Sequence, residues 1–293
     1  MEEFGIEISE AKSSVVRFNR EPRQEKWKCG GWQVCENGAA KYLGMSVVGG
    51  VGEGFAVLGM VKFGAKRSGC QFLVAREGWK SEVVSMATYG AGAIVWKRTE
   101  VKSLEVMQSE FGRWLWRVDR SVRNSVVQGE FGWSTFEKRE VKAKIAFVKK
   151  ILWGGTVVTE VGRAALLEIG IQSGWWKEVE RMAFRFHWDE LAHLIWSRRV
   201  SETEREMCGA GEDWIRDMTK EKMNEQVMEV GKQEWKRSLQ SPELTRMYAV
   251  EKEAVKLESY ADGSVGARVR MLLRGDCLPF WHKRQTNGGI LML

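Results

Sequence analysis

Phosphate contact is the chemistry that the residue types of this chain best allow. Between residues 113 and 150, ten Lys or Arg stand against four Asp or Glu. Arg113, Arg117 and Arg120 fall at i, i+4 and i+7, which puts them on one face of a helix. Lys138, Lys142 and Lys149 lie within about 40° of one another at ~100° per residue. Cationic faces of this kind can follow a nucleic-acid backbone through contacts that are blind to sequence and weakened by salt. The same pattern also describes a solvated face, the commoner use of Lys and Arg on helices.

Other chemistries lack the residues they need. Two-metal nucleotidyl transfer requires at least two carboxylates at the metals. The six aspartates are Asp119, Asp189, Asp213, Asp217, Asp262 and Asp276, with no Asp-Asp pair and none before residue 119. His187, Glu190 and His193 resemble a zinc helix, but histidines at i and i+6 are about 240° apart and do not converge as in H-E-x-x-H. Cys277 and His282 lack a neighbouring Cys-x-x-Cys, and three histidines leave no Ser-His-Asp arrangement. The glycines of residues 49–69 include G-x-G-x-G after an expected strand, but neither G-x-G-x-x-G nor G-K-[ST] follows. A flexible connector is the expectation there.

The elements that must position the cations are helical. Val101, Leu104, Met107, Phe111, Trp114, Leu115 and Val118 recur at steps of three and four. After a polar connector, Ser134 and Glu137 form a capping-box pattern ahead of Val141, Ile145, Val148 and Leu152. Upstream, Ile6, Ile8, Val15, Val16 and Phe18 suit strands. Trp32–Cys35 and Tyr42–Val48 read as a hairpin around Asn37-Gly38. Beyond residue 153 helices are expected over 173–186, 188–196, 219–239, from Ser241-Pro242 to near Tyr260, and over 264–274 closed by Gly275.

Composition supports a packed, soluble protein. The 293 residues are 44% hydrophobic with 15 Trp and only 3 Pro, which suits long helices around a sizeable core. The formal charge of +7 is segregated: residues 1–150 carry 25 Lys/Arg against 17 Asp/Glu, and the remainder 21 against 22. A basic half implies an acidic partner, nucleic acid before a membrane surface. The start has no apolar signal-peptide stretch, no run approaches the roughly 20 apolar residues of a span, and five scattered cysteines fit a reducing compartment. The expectation is cytoplasmic or nuclear, with no membrane partner and no evident small-molecule substrate.

The stretch LEVMQSEFGRWLWRVDRSVRNSVVQGEFGWSTF, residues 104–136, resembles the segment that follows the polymerase core in reverse transcriptases of non-LTR (LINE-type) retrotransposons. The matching residues are Leu104, Glu105, Gln108, Phe111, Leu115, Val118, Asn124, Glu130 and Gly132. Arg117, Phe131 and the Pro-free Trp133-Ser134-Thr135 depart from that pattern. Three further stretches are similar in family order: Ile6, Ile8, Lys12, Ser13, Val16 and Phe18; Lys41-Tyr42-Leu43-Gly44-Met45, which looks like a primer-gripping hairpin; and Tyr89, Gly90 and Trp96, which look like a helix. Near the C-terminus the resemblance continues through Tyr248, Glu251, Lys252, Glu258, Tyr260, Arg268, Leu272, Arg274 and Gly275.

The resemblance implies a partial right-hand polymerase of mainly α class with a small N-terminal antiparallel β portion. Residues 1–50 would be palm-end strands and a primer-grip-like hairpin. Residues 51–153 would be a Gly-rich connector and thumb-like helices, and 154–293 a helical tail. Since the family's metal-binding Asp pair lies upstream of the first match, Met1 is expected to begin after it. The chain alone would then bind no cofactor, the magnesium belonging to the missing palm, and would not polymerise. Lys12, Lys41, Tyr42, Leu43, Gly44, Arg113, Arg117, Arg120, Lys138, Lys142 and Lys149 would contact nucleic acid, with a complementary polymerase chain as a further partner. A helical protein-interaction scaffold and a decayed open reading frame are the alternative readings.

Overall fold

Apolar side chains at helical spacing outvote every other signal in this chain, and the glycines most plainly. In the computed structural model, residues 15–16, 26–29, 32–37, 41–42, 45–46, 51–157, 174–192, 217–240, 245–275 and 277 are described. The expected Gly-rich connector is helix α1, Val51–Arg67. Gly54, Leu58, Val61 and Ala65 follow one another at steps of three and four. Leu58 and Ala65 are buried, and a Cβ on Gly54 would lie 3.2 Å from that of Ala87. Gly59 and Gly64 fall on the open side, where no atom approaches within 4 Å. Each glycine costs about 1 kcal/mol of helix propensity, which the buried stripe offsets.

Helix α2, Gln71–Gly78, continues through a π-helical turn, Trp79–Val83, into α3, Val84–Ala87. The expected Tyr89-Gly90-Trp96 helix is not formed. Residues 88–94 are turns, with Gly90 at φ 72°. Helix α4 is Arg98–Trp116, as its periodicity requires, and stops where Arg117 enters the left-handed region. The polar connector turns out to be a helix, α5, Asn124–Phe131, because Val126, Val127 and Phe131 are buried on it. Helix α6, Phe136–Trp153, starts one residue later than expected: Thr135, not Ser134, caps it by accepting from Lys138 N at 3.3 Å.

Farther along, α7 is Gly174–Arg185 and α8 is Lys220–Gln240, both with the expected apolar face buried. Helix α9, Arg246–Glu251, ends well short of Tyr260. Lys252 turns extended, and Leu257 makes an antiparallel bridge with Phe131. Gly132, at φ 65°, admits that strap: a Cβ there would overlap the backbone of Lys256 and Leu257. Helix α10, Val265–Arg274, is capped by Ser264 and followed by Gly275, as its sequence signals indicate. Residues 173 and 241–244, which include the expected helix starts at Ser173 and Ser241-Pro242, lie outside the described residues.

The described strands are short: β1 Val15–Val16, β2 Lys26–Cys29, β3 Trp32–Asn37, β4 Lys41–Tyr42 and β5 Met45–Ser46. The hairpin expected around Asn37-Gly38 is replaced by nearer pairings. β3 pairs back to β2, and β4 pairs with β5. Two intervening residues close each of these pairs, which is the cheapest loop a hairpin can have. β1 lies parallel to β3, so the described pairings are not all antiparallel. Ile6, Ile8 and Phe18 lie outside the described residues. The chain is mainly helical.

Two apolar clusters result. The first is an aromatic column in which Phe131 stacks on Trp133 at 4.0 Å, Trp133 on Trp79 at 5.2 Å and Trp79 on Phe111 at 4.9 Å. The second gathers Val141, Ile145 and Val148 of α6 with Trp176, Val179 and Met182 of α7 and Val227 of α8. Helices α6 and α8 contribute to both clusters.

A buried ion pair fixes α6 against the 88–97 turns. Lys144 Nζ lies 3.0 Å from Glu140 Oε1, both side chains being within 3% of fully buried. It also donates to Ala91 O at 3.0 Å and to Ile94 O. Burial works against both charges, raising the Glu140 pKa and lowering that of Lys144. Removing one partner strands the other. Lys144→Met is therefore expected to lower the unfolding free energy by about 3–5 kcal/mol. The double variant Lys144→Met, Glu140→Leu should recover most of that loss in urea melts.

Candidate nucleic-acid interface

The cations that periodicity aligns on one helical face do not share one. Arg113 is 8% exposed. Its guanidinium donates twice to Val122 O, at 2.9 and 3.1 Å, and to Asn124 Oδ1, closing the α4–α5 corner. Burial lowers its pKa, against the pull of Glu110. Arg117 sits beyond the helix in the left-handed region, exposed, and donates to Gln71 Oε1 at 3.0 Å. Arg120 follows the helix end, 83% exposed, 3.4 Å from Glu110 Oε1.

The lysines of α6 face inward as well. Lys138 is 6% exposed and lies over Gly231 of α8, where a Cβ would overlap its Cε and Nζ. Burial lowers its pKa, with Glu234, Glu105 and Glu137 opposing. Lys142 is half-buried, its pKa lowered by burial and then by Arg139 and Lys138. Lys149 donates to Met218 O at 2.8 Å. The stripe read from the sequence as cationic is thus largely the seam between α6 and α8. Lys12, Leu43 and Gly44 lie outside the described residues. Lys41 and Tyr42 form strand β4, paired to Met45–Ser46.

Four exposed arginines remain, two at or just beyond the end of α4 and two on α10. Arg117 lines a hollow of about 350 Å³ with Gln71 and Leu115 on one side and Asp262, Gly263 and Ser264 on the other. One turn along α10, Arg268 is close enough to Asp119 to help lower its pKa, behind the hydrogen bonds from Ser121. Arg270 lies 4.6 Å over the Tyr260 ring, which neighbours Trp116. Arg268 and Arg270 were not among the expected contacts. Their signal was arginines on a helix with no acidic residue, so that no partner along the helix neutralises them.

The most elaborate polar arrangement is structural. Glu130 of α5 is fully buried and accepts from Tyr248 OH at 2.9 Å, from Tyr260 OH and from Arg274 Nη1 at 3.4 Å. Burial and the Glu130 charge raise the pKa of both tyrosines, which stay protonated donors. Arg274 also meets Glu251 at 3.2 Å and Glu258 at 3.5 Å. Lys252, itself buried, pairs with Glu258 and donates to Lys256 O at 2.9 Å. Glu105 accepts from Phe136 N, and Gln108 accepts from Arg139 at 2.9 Å while donating to Ser134 O at 3.3 Å. Among the described residues no group of three His, Cys, Asp or Glu side chains could hold a metal ion, and no helix is long and apolar enough to cross a membrane. No family model, curated protein or solved structure matches the chain.

Two outcomes follow from these geometries. Glu130→Ala leaves Tyr248, Tyr260 and Arg274 without their shared acceptor, and is expected to cost about 3–5 kcal/mol in a denaturant melt. Lys138 has a folded-state pKa below its ordinary 10.5, so the unfolded chain binds more protons and stability rises with pH up to that value. The raised tyrosine pKa values reverse the trend above about 10. The gain in stability between about pH 8 and pH 10 should shrink in Lys138→Met, as read by urea midpoints at each pH.

Proposed function

We propose that this chain is the helical portion that follows the catalytic palm in a reverse transcriptase of the non-LTR retrotransposon type. In this reading it holds primer and template by their backbones and carries no catalytic metals of its own. The observation that supports it is the convergence of the stretches on which the resemblance rests. Glu130 belongs to the first helical stretch, and its donors Tyr248, Tyr260 and Arg274 belong to the last, 118 to 144 residues along the chain. Stretches picked out separately along the sequence meet in one ionic cluster, as parts of one inherited architecture would. Glu105, Gln108 and Asn124, from the same stretches, join neighbouring helices.

In this reading the phosphate contacts belong to Arg117 and Arg120 together with Arg268 and Arg270. Arg113 and Lys138 support the scaffold from within. Lys41, Tyr42, Leu43 and Gly44 would meet the primer end, and a complementary palm would bring the carboxylates and magnesium. A second reading, a protein-interaction scaffold, draws on the exposed apolar side chains Phe55, Met60 and Phe63 of α1 with Leu73 and Val74 of α2, since apolar surface of this kind is what partners cover.

Fluorescence anisotropy with a labelled RNA–DNA hybrid separates the two. Four phosphate contacts predict roughly a 50-fold loss of affinity between about 100 and 300 mM salt. Replacing Arg117, Arg120 or Arg268 by Ser should reduce the logarithmic salt slope by about one each. A salt-independent affinity, or slopes unmoved by all three replacements, would leave the scaffold reading standing.

A further inference from the structure

Between the start of α6, the first half of α8 and the strap after α9 lies a cavity of about 730 Å³. That size falls within the roughly 300–1,000 Å³ typical of small-molecule sites. Met218, Met228, Ala254 and Val255 give it an apolar lining. One donor stands in its wall. Lys138 is more than nine-tenths buried, and its ammonium has no hydrogen-bond or ion-pair partner among the described residues; Glu234, Glu105 and Glu137 act on it only through space. Gln128 lines the same cavity, but its amide nitrogen is closed off from solvent and so from the cavity. A donor without a partner is rare in a buried side chain because it forfeits a hydrogen bond it had in water. One that opens on a cavity calls for an acceptor there.

The charges at the rim are Lys222 and Lys232 against Glu225 and Glu229, so with Lys138 the lining carries one net positive charge. One ammonium matches the single charge of a carboxylate. A phosphate dianion would need more cations than this lining offers. Gly231 is part of the arrangement, since a side chain there would occupy the space that Lys138 Cε and Nζ fill. We propose that this cavity binds an elongated apolar molecule ending in a carboxylate. Its head would rest on Lys138 and its tail would lie along Met218, Met228 and Val255. An anion at the head would also restore to Lys138 the proton affinity that burial removes.

The probes are octanoate and octanol, which share a tail and differ in the head. Calorimetric titration of the full chain should show octanoate binding at least tenfold more tightly than octanol, and Lys138→Met should erase most of that difference. Gly231→Ala, which crowds the ammonium without removing it, should weaken octanoate alone. Because those variants can also disturb the α6–α8 seam, the wild-type chain supplies the deciding readout. Saturating octanoate should slow reductive methylation of Lys138, followed by mass spectrometry, while Lys97 before α4 and Lys102 on it react as before. Equal binding of the two probes, or Lys138 methylation unchanged by octanoate, overturns the proposal.

Discussion

One buried carboxylate ties the middle of the chain to its last described helix. Glu130 sits on a short helix whose other inward residues are Val126, Val127 and Phe131, and a lone acid in that company is unfavourable without compensation. Two tyrosine hydroxyls and a guanidinium supply it, all drawn from residues 248–274. Loop closure over more than a hundred residues is entropically expensive. The contacts that justify it are therefore concentrated: Arg274 gathers Glu251 and Glu258 about itself, Glu258 takes Lys252, and Gly129 and Gly132 let Tyr248 and the strap approach the α5 backbone. The strap's bridge to Phe131 sets the side chain that stacks in the aromatic column.

Charge is used inside this protein as much as on it. Arg113, Lys138, Lys144 and Lys252 are all buried, and three of them are satisfied by backbone carbonyls as well as by acids. A carbonyl acceptor belongs to a fixed backbone, so each of these long side chains works as a strut between elements. Arg113 closes the α4–α5 corner, Lys144 pins the 88–94 turns to α6, and Lys252 shapes the strap. Lys138 differs, having no such acceptor, and it is the one that faces a cavity. In the proposed reading nucleic-acid contact falls to exposed arginines past the end of α4 and on the open side of α10, where side chains stay solvated.

Much of the helical framework was legible in the sequence because burial of an apolar stripe is a local pattern. Helices α4, α6, α7, α8 and α10 follow their apolar spacing, and the Ser264 boundary of α10 follows capping chemistry, while Gly275 ends it without the left-handed turn that favours glycine. Helix α1 shows the limit of composition: its glycines read as a connector, whereas Leu58 and Ala65 at helical spacing decided the outcome. Glu130, Tyr248, Tyr260 and Arg274 were all visible as parts of matching stretches, yet their meeting was not, since no spacing rule links residues so far apart.

For α4, α6, α7, α8 and α10 the sequence by itself determined that the segment coils and which of its faces is apolar, because both depend on neighbours three or four residues away. Which cations meet solvent was decided only by tertiary packing. Arg113 and Lys138 lie beside the apolar stripes of α4 and α6, at the boundary where a long side chain can turn either outward or into the next helix. The arrival of α5 against one and of Gly231 on α8 against the other turned them inward. Long-range approach of that kind is a property of the assembled helices, and periodicity within one helix carries no record of it.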